Sequence, residues 1–182
     1  MIGAGETQSG VFRLWKSLRH DTPHVSKTAF RRGFTSNDET LIQVFKTTQA
    51  KSGKLSYARV WSGKLHDGMQ LSGKRAGGLF KVFGNELLKI KDSCAGDVVA
   101  LGRLKEVKTG DVLSHKEISE DGNPWHSALP PVYSLSLKAE NHDDEVKLSS
   151  SLAKLVEEDP SCSIEHNAET HELLLHGQGE IH

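Results

Sequence analysis

The stretch LIQVFKTTQAKSGKLSYARVW, residues 41–61, holds two runs of strand-forming residues, LIQVFKTT (41–48) and LSYARVW (55–61), on either side of the serine–glycine pair 52–53. β-Branched and aromatic side chains fit a pleated, half-buried surface, and a glycine between two such runs marks a turn. The same texture continues to Leu113. LFKVF (79–83), ELLKI (86–90) and VVALGRL (98–104) are separated by turn signals at SG (62–63), DG (67–68), GG (77–78), AGD (95–97) and TGD (109–111). Short strands at this spacing suit a small antiparallel barrel, which also removes exposed edges.

On the N-terminal side, Val11, Leu14, Trp15 and Leu18 recur at helical spacing with Arg13, Lys16, Ser17 and Arg19 between them. This predicts one amphipathic helix, with Ser9 as its cap. Pro23 and the polar, basic run through Arg31, Arg32 and Gly33 read as a connector, so the helix has an apolar face and no neighbouring helix to cover it.

On the C-terminal side, Ser114 to Ala128, including EDGNPW (120–125), is polar and turn-rich enough for a linker. Val132 to Leu137 then alternates as a strand. Asn141 is placed to cap a helix whose first turn carries Asp143, Asp144 and Glu145 and whose buried stripe is Leu148, Leu152, Leu155 and Val156. Pro160 ends it, and CSIEH (162–166) and ELLLHG (172–177) read as strands joined by the turn NAET (167–170). Strand, helix, strand, strand is the front of a split β-α-β sandwich. With no second helix or fourth strand before His182, part of a sheet face and one strand edge are expected to be exposed, and the segment to be marginally stable.

The 182 residues carry a net charge of −1, so attraction to nucleic acid or membrane must come from a local patch. Cys94 and Cys162 lack metal-ligand spacing and read as reduced thiols of a cytosolic protein. No apolar run approaches the roughly 20 residues of a membrane span.

Several motifs suggest chemistry and fail on their details. GETQSGVF (5–12) has the glycine spacing of a phosphate-binding loop, but Val11 and Phe12 stand where a lysine and a hydroxyl are needed. GMQLSGKR (68–75) supplies Lys74 and then Arg75 in place of the magnesium-binding hydroxyl. His166, His171, His176 and His182 crowd the C-terminus, yet HELLLH would point its imidazoles about 140° apart on a helix and to opposite faces of a strand. Tyr57, Trp61, Phe80 and Phe83 suit barrel core or inter-domain packing better than base stacking. Glu157, Glu158 and Asp159 oppose the helix dipole and are assigned no reaction.

Taken in order, these segments resemble bacterial elongation factor G and its elongation-factor-G-like paralogues, the translational GTPases. The barrel stretch VFKTTQAKSGKLSYARVWSGKLHDG (44–68) is similar to the family's strand–turn–strand, and AGDVVALGRLKEVKTGDVLS (95–114) to its later AGD…TGD stretch. LAKLVEEDPSCSIEHNAETHELLLHGQGEIH (152–182) resembles the leucine-rich helix, EEDP turn, hairpin and G-x-G-E-x-H ending. Gln178 and LSGKRAGGLFKVFG (71–84) look more like the paralogues than the principal translocase.

The resemblance implies a mainly β chain with α+β character. It would comprise the C-terminal end of a GTPase domain and a linker (1–33), a translation-factor β-barrel (34–118), a linker (119–129) and an incomplete ferredoxin-like domain (130–182). GAGETQSGVFRLWKSLRH resembles the closing strand, loop and helix of the GTPase domain, so the P-loop and switches are expected before Met1. GTP and magnesium would belong to the longer protein and not bind here, and this segment is expected to be catalytically inactive. The implied partners are the ribosome, through small-subunit RNA and protein, and the chain's own GTPase domain, in the cytoplasm. Lys51, Lys54, Arg59, Lys64, Lys74, Arg75 and Lys81 are the candidate RNA contacts on the barrel. The rival readings are a free-standing barrel for single-stranded nucleic acid and, more weakly, a small zinc hydrolase.

Overall fold

The computed structural model describes residues 4–34, 39–50, 53–84, 86–104, 106–115, 128–139, 141–167, 169–170 and 172–181. Lys51, His171, His182 and most of the predicted linker at 119–129 therefore lie outside the described residues.

Helix α1 (Val11–Asp21) forms where the apolar spacing predicts it, but Gly10, at φ 77°, occupies the cap position and no side chain caps the helix. Leu14, Trp15 and Leu18 are exposed along one face. The expected connector contains a second helix, α2 (Val25–Arg31). His24 caps it through Nδ1, which accepts the Ser26 N–H. Only one turn of apolar residues marks α2, too little for a periodic pattern. Its place is set instead by Ala29, which packs with Phe34 and Trp61 on the outside of the barrel.

The barrel is built from β1 (Leu41–Ala50), β2 (Gly53–Ser62), β3 (Lys64–His66), β4 (Gln70–Leu71), β5 (Lys74–Arg75), β6 (Gly77–Phe83), β7 (Glu86–Lys89), β8 (Asp92–Cys94), β9 (Val98–Gly102) and β10 (Val112–Ser114). Six of these form one antiparallel sheet in the order β10-β1-β2-β9-β6-β7, while β3 pairs β8 and β4 pairs β5. Ser72, in the β4–β5 turn, donates its N–H to the Ser114 carbonyl at 2.7 Å, tying that hairpin to β10.

Ile42, Val44, Val60, Leu65, Leu79, Val99, Leu101 and Leu113 turn inward from successive strands into a single core. On β1 a bulge between Val44 and Lys46 shifts the pairing by one residue. The inward phase therefore passes from Ile42 and Val44 to Thr47, which is fully buried, and Phe45 is turned out. The GG pair 77–78, expected as a turn, lies inside β6 at a register shift, and Gly78 takes φ 76° there.

The C-terminal unit has β11 (Tyr133–Leu137), α3 (Glu145–Glu158), β12 (Ser163–His166) and β13 (Leu173–Gly177), with β13 central between antiparallel β11 and β12. Asn141 does not cap α3. A 3-10 turn, His142–Asp144, intervenes, and Asp144 stands at the cap without a side-chain capping bond. Of the predicted stripe Leu152 is buried, while Leu155 is 41% exposed.

Candidate functional site

The structure separates the candidate cations. Lys64, Arg75 and Lys81 are exposed on β3, β5 and β6. Lys74 is half-buried and donates to the Glu106 carbonyl at 3.2 Å. Arg59 turns toward α2, with its guanidinium 5.8 Å from the Trp61 ring centroid, while Arg32 approaches the same ring at 5.7 Å. Trp61 meets Phe34 at 5.5 Å and donates its indole N–H to Gln43 Oε1 at 3.3 Å. Packing between α2 and the barrel is thus the role of this aromatic, whereas Phe83 is 74% exposed and belongs to no core.

Lys54 is the largest departure from the sequence reading. Its side chain is only 9% exposed, and its ammonium pairs with Glu157 Oε1 and donates to the Val107 carbonyl at 2.5 Å. Gln49 completes the contact, giving a side-chain N–H to Glu157 Oε2 at 2.6 Å and its backbone N–H to Glu158 Oε1. The carboxylates that oppose the dipole of α3 are therefore offset by donors from the β1–β2 hairpin. Residues more than a hundred positions apart meet here, which no local pattern announces.

AGD and TGD each end in a carboxylate that accepts the backbone N–H three residues earlier. Asp97 accepts from Cys94 at 2.9 Å, and Asp111 from Lys108 at 2.8 Å. Ser93 Oγ and Cys94 Sγ also donate to Asp97. The Cys94 N–H, chiefly, holds the Asp97 carboxyl below its ordinary range, and the bond to that carboxylate pushes the Cys94 thiol up.

Neither glycine-spaced motif is a phosphate cradle. In the first, Gln8 N–H goes to the Gly5 carbonyl and Val11 N–H to the Gln8 carbonyl, so these amides close the loop on itself. The second is the β4–β5 hairpin, whose turn residues Ser72 and Gly73 both take positive φ, as a tight two-residue turn requires. With no lysine and hydroxyl aimed into it, neither loop fits GTP with magnesium.

Among the described residues no group of histidine, cysteine and carboxylate side chains is arranged to hold a metal ion. His176 instead bridges strands: its Nδ1 lies 2.7 Å from Ser134 Oγ, and its Nε2 lies 3.2 Å from Glu165 Oε2 but out of line for a hydrogen bond. These three residues are cross-strand neighbours on the open sheet, and the misaligned carboxylate does not orient the imidazole as a catalytic base requires.

A glycine-turned antiparallel barrel followed by a β-α-β-β unit is the arrangement of a translation factor's second and third domains. Residues 39–116 match the model of elongation factor G domain 2, and residues 129–182 that of elongation factor G domain III. The chain is 42% identical over its whole length to an elongation factor G-like protein of Synechocystis, covering 27% of that protein. It is 35% identical to elongation factor G 2 of Syntrophus aciditrophicus, over 76% of the chain and 21% of that protein. A crystal structure from Thermus thermophilus superposes with a TM-score of 0.80 at 31% identity, over 97% of this chain and 27% of that one. The chain belongs to the elongation factor G family, of which it carries the second and third domains. It thus spans 27% or less of the length of these relatives.

Proposed function

We propose that the barrel and the β-α-β-β unit dock a translational GTPase on the ribosome and relay its GTP state during protein synthesis, at translocation or a related step. In this reading residues 1–33 are the end of the GTPase domain and its linker, GTP and magnesium are held by that domain, and the protein works in the cytoplasm. The observation that carries it is the occurrence of both family domains in order, on a barrel whose Lys64, Arg75 and Lys81 face outward. Lys74 stands beside them on β5, and Lys51 is kept in the set from the sequence. Lys54 and Arg59 serve the reading differently, since one holds α3 and the other the Trp61 contact.

Small-subunit ribosomal RNA and protein are the partners this surface suits. Three phosphate contacts predict that log affinity falls with log salt at a slope of about −2 to −3. Co-sedimentation with small ribosomal subunits across a salt series is the test. Binding with that slope supports the reading, and no pelleting even at low salt overturns it.

A further inference from the structure

A cavity of about 720 Å³ opens in the barrel wall, with the backbones of Gly53, Gly77, Gly78 and Gly102 along it. That is ample for one small ligand, since such sites run to roughly 300–1,000 Å³. The glycines have a steric reason. A Cβ on Gly78 would lie 2.9 Å from Phe80 Cε2, and one on Gly102 would lie 3.0 Å from the Gly77 carbonyl oxygen. Bare backbone is what lets the Phe80 ring lie across this wall.

The charge on the wall is one-sided. Arg75, Lys89 and Arg103 line the cavity together with Asp67. Asp67 accepts the Gly78 N–H at 2.8 Å and lies 3.7 Å from Lys89. Among the described residues no carboxylate pairs with Arg75 or Arg103. Arg103 is held at φ 62°, a left-handed conformation that arginine rarely adopts, and its stem passes over Gly77, where a Cβ would meet Cδ at 3.0 Å. Strain of this kind concentrates at ligand-binding positions.

A flat aromatic ring beside unpaired guanidinium groups on bare backbone suits a ligand that is planar at one end and anionic at the other. Free phosphate has no use for the ring, and an apolar ligand has none for the arginines. Stacked bases of a duplex cannot enter a cavity of this size. We propose that the cavity receives a single unstacked nucleotide of RNA, its base against Phe80 and its phosphates against Arg75 and Arg103. The choice of RNA rests on the ribosome-docking reading; the nucleotide chemistry rests on the cavity.

The test uses the full chain with a single-stranded RNA decamer, a blunt RNA duplex and AMP as probes. The decamer should shift the amide resonances of Gly53, Gly77, Gly78 and Gly102, and the duplex should leave them unmoved. Phe80→Leu, which keeps an apolar side chain, should weaken decamer binding at least five-fold, and Arg75→Gln with Arg103→Gln should flatten the salt slope by about two. Amides unmoved by the decamer, or equal shifts by the duplex, would overturn the proposal without recourse to any variant. AMP binding as tightly as the decamer would overturn the RNA assignment in favour of a free nucleotide. The variants are also sedimented with small subunits. If the parent chain pellets and Phe80→Leu, which leaves every docking cation in place, pellets equally, the cavity proposal fails while ribosome docking stands. If the parent does not pellet, docking fails and the decamer result decides the cavity alone.

Discussion

Lys54 on β2 and Glu157 at the end of α3 form an ion pair across the junction of barrel and C-terminal unit, with the lysine side chain 9% and the glutamate 30% exposed. Removing one partner leaves the other partly buried and uncompensated. Glu157→Ala is expected to destabilise the docked state by about 2 kcal/mol, below the range for fully buried pairs. Hydrogen exchange should quicken through Glu145–Glu158 while β2 keeps its protection. Equal exchange in α3 before and after the substitution would show that the contact holds nothing.

Gly63 is constrained twice over. It takes φ 71°, and a Cβ there would lie 2.7 Å from both Thr40 Cα and Thr40 N. Gly63→Ala should cost about 2–4 kcal/mol in urea unfolding. Gly53→Ala, where φ is 109° but the space is open, should cost only about 1 kcal/mol. Similar midpoints for the two variants would contradict this ranking.

The Cys94–Asp97 turn makes a pH prediction. Because folding lowers the Asp97 pKa, its contribution is present above the unfolded aspartate value of about 3.9 and is lost as pH falls through the lower folded value. Acid unfolding of Asp97→Asn should lack that component. The raised Cys94 pKa means little thiolate at pH 8, so iodoacetamide should label this exposed cysteine slowly, and Asp97→Asn should speed labelling severalfold.

Trp61 fastens α2 to the barrel through Phe34 and Ala29. Trp61→Ala should cost about 3–5 kcal/mol, and Trp61→Phe distinctly less. The urea midpoint measures both, and far-UV circular dichroism should report the loss of α2 in the first.

Calorimetric titration with GTP and magnesium should give no binding heat at micromolar concentration, because the Gln8 and Val11 amides donate to carbonyls of the GETQSGVF loop and no lysine follows its second glycine. Heat with micromolar affinity would refute that account of the loop.

Much of this fold was legible because long strands carry long patterns. β1, β2, β6, β7 and β9 each coincide with a run of strand-forming residues. β3, β4, β5, β8 and β10 are two or three residues long, too short to show any period, and the barrel's pairing alone defines them. At 77–78 the glycines signalled a departure from regular backbone, but not that it was a bulge within β6.

The basic surface was legible as a composition and not as a set of directions. Lys54 and Lys64 look alike in sequence, yet one ammonium faces Glu157 and the other side chain is exposed. The cavity was missed because much of its wall is backbone: Gly53, Gly77 and Gly78 read as turns and Gly102 as part of the strand run VVALGRL until the strands bring them together.

The β1–β2 hairpin ties two distant attachments to one stiff ribbon. Near one end Trp61 holds α2; near the other Lys54 holds α3. Trp61 lies seven residue steps along the strand from Lys54, a span of about 23 Å. A ribbon paired on both flanks resists bending, so the grip on α2 and the clamp on α3 share one rigid frame.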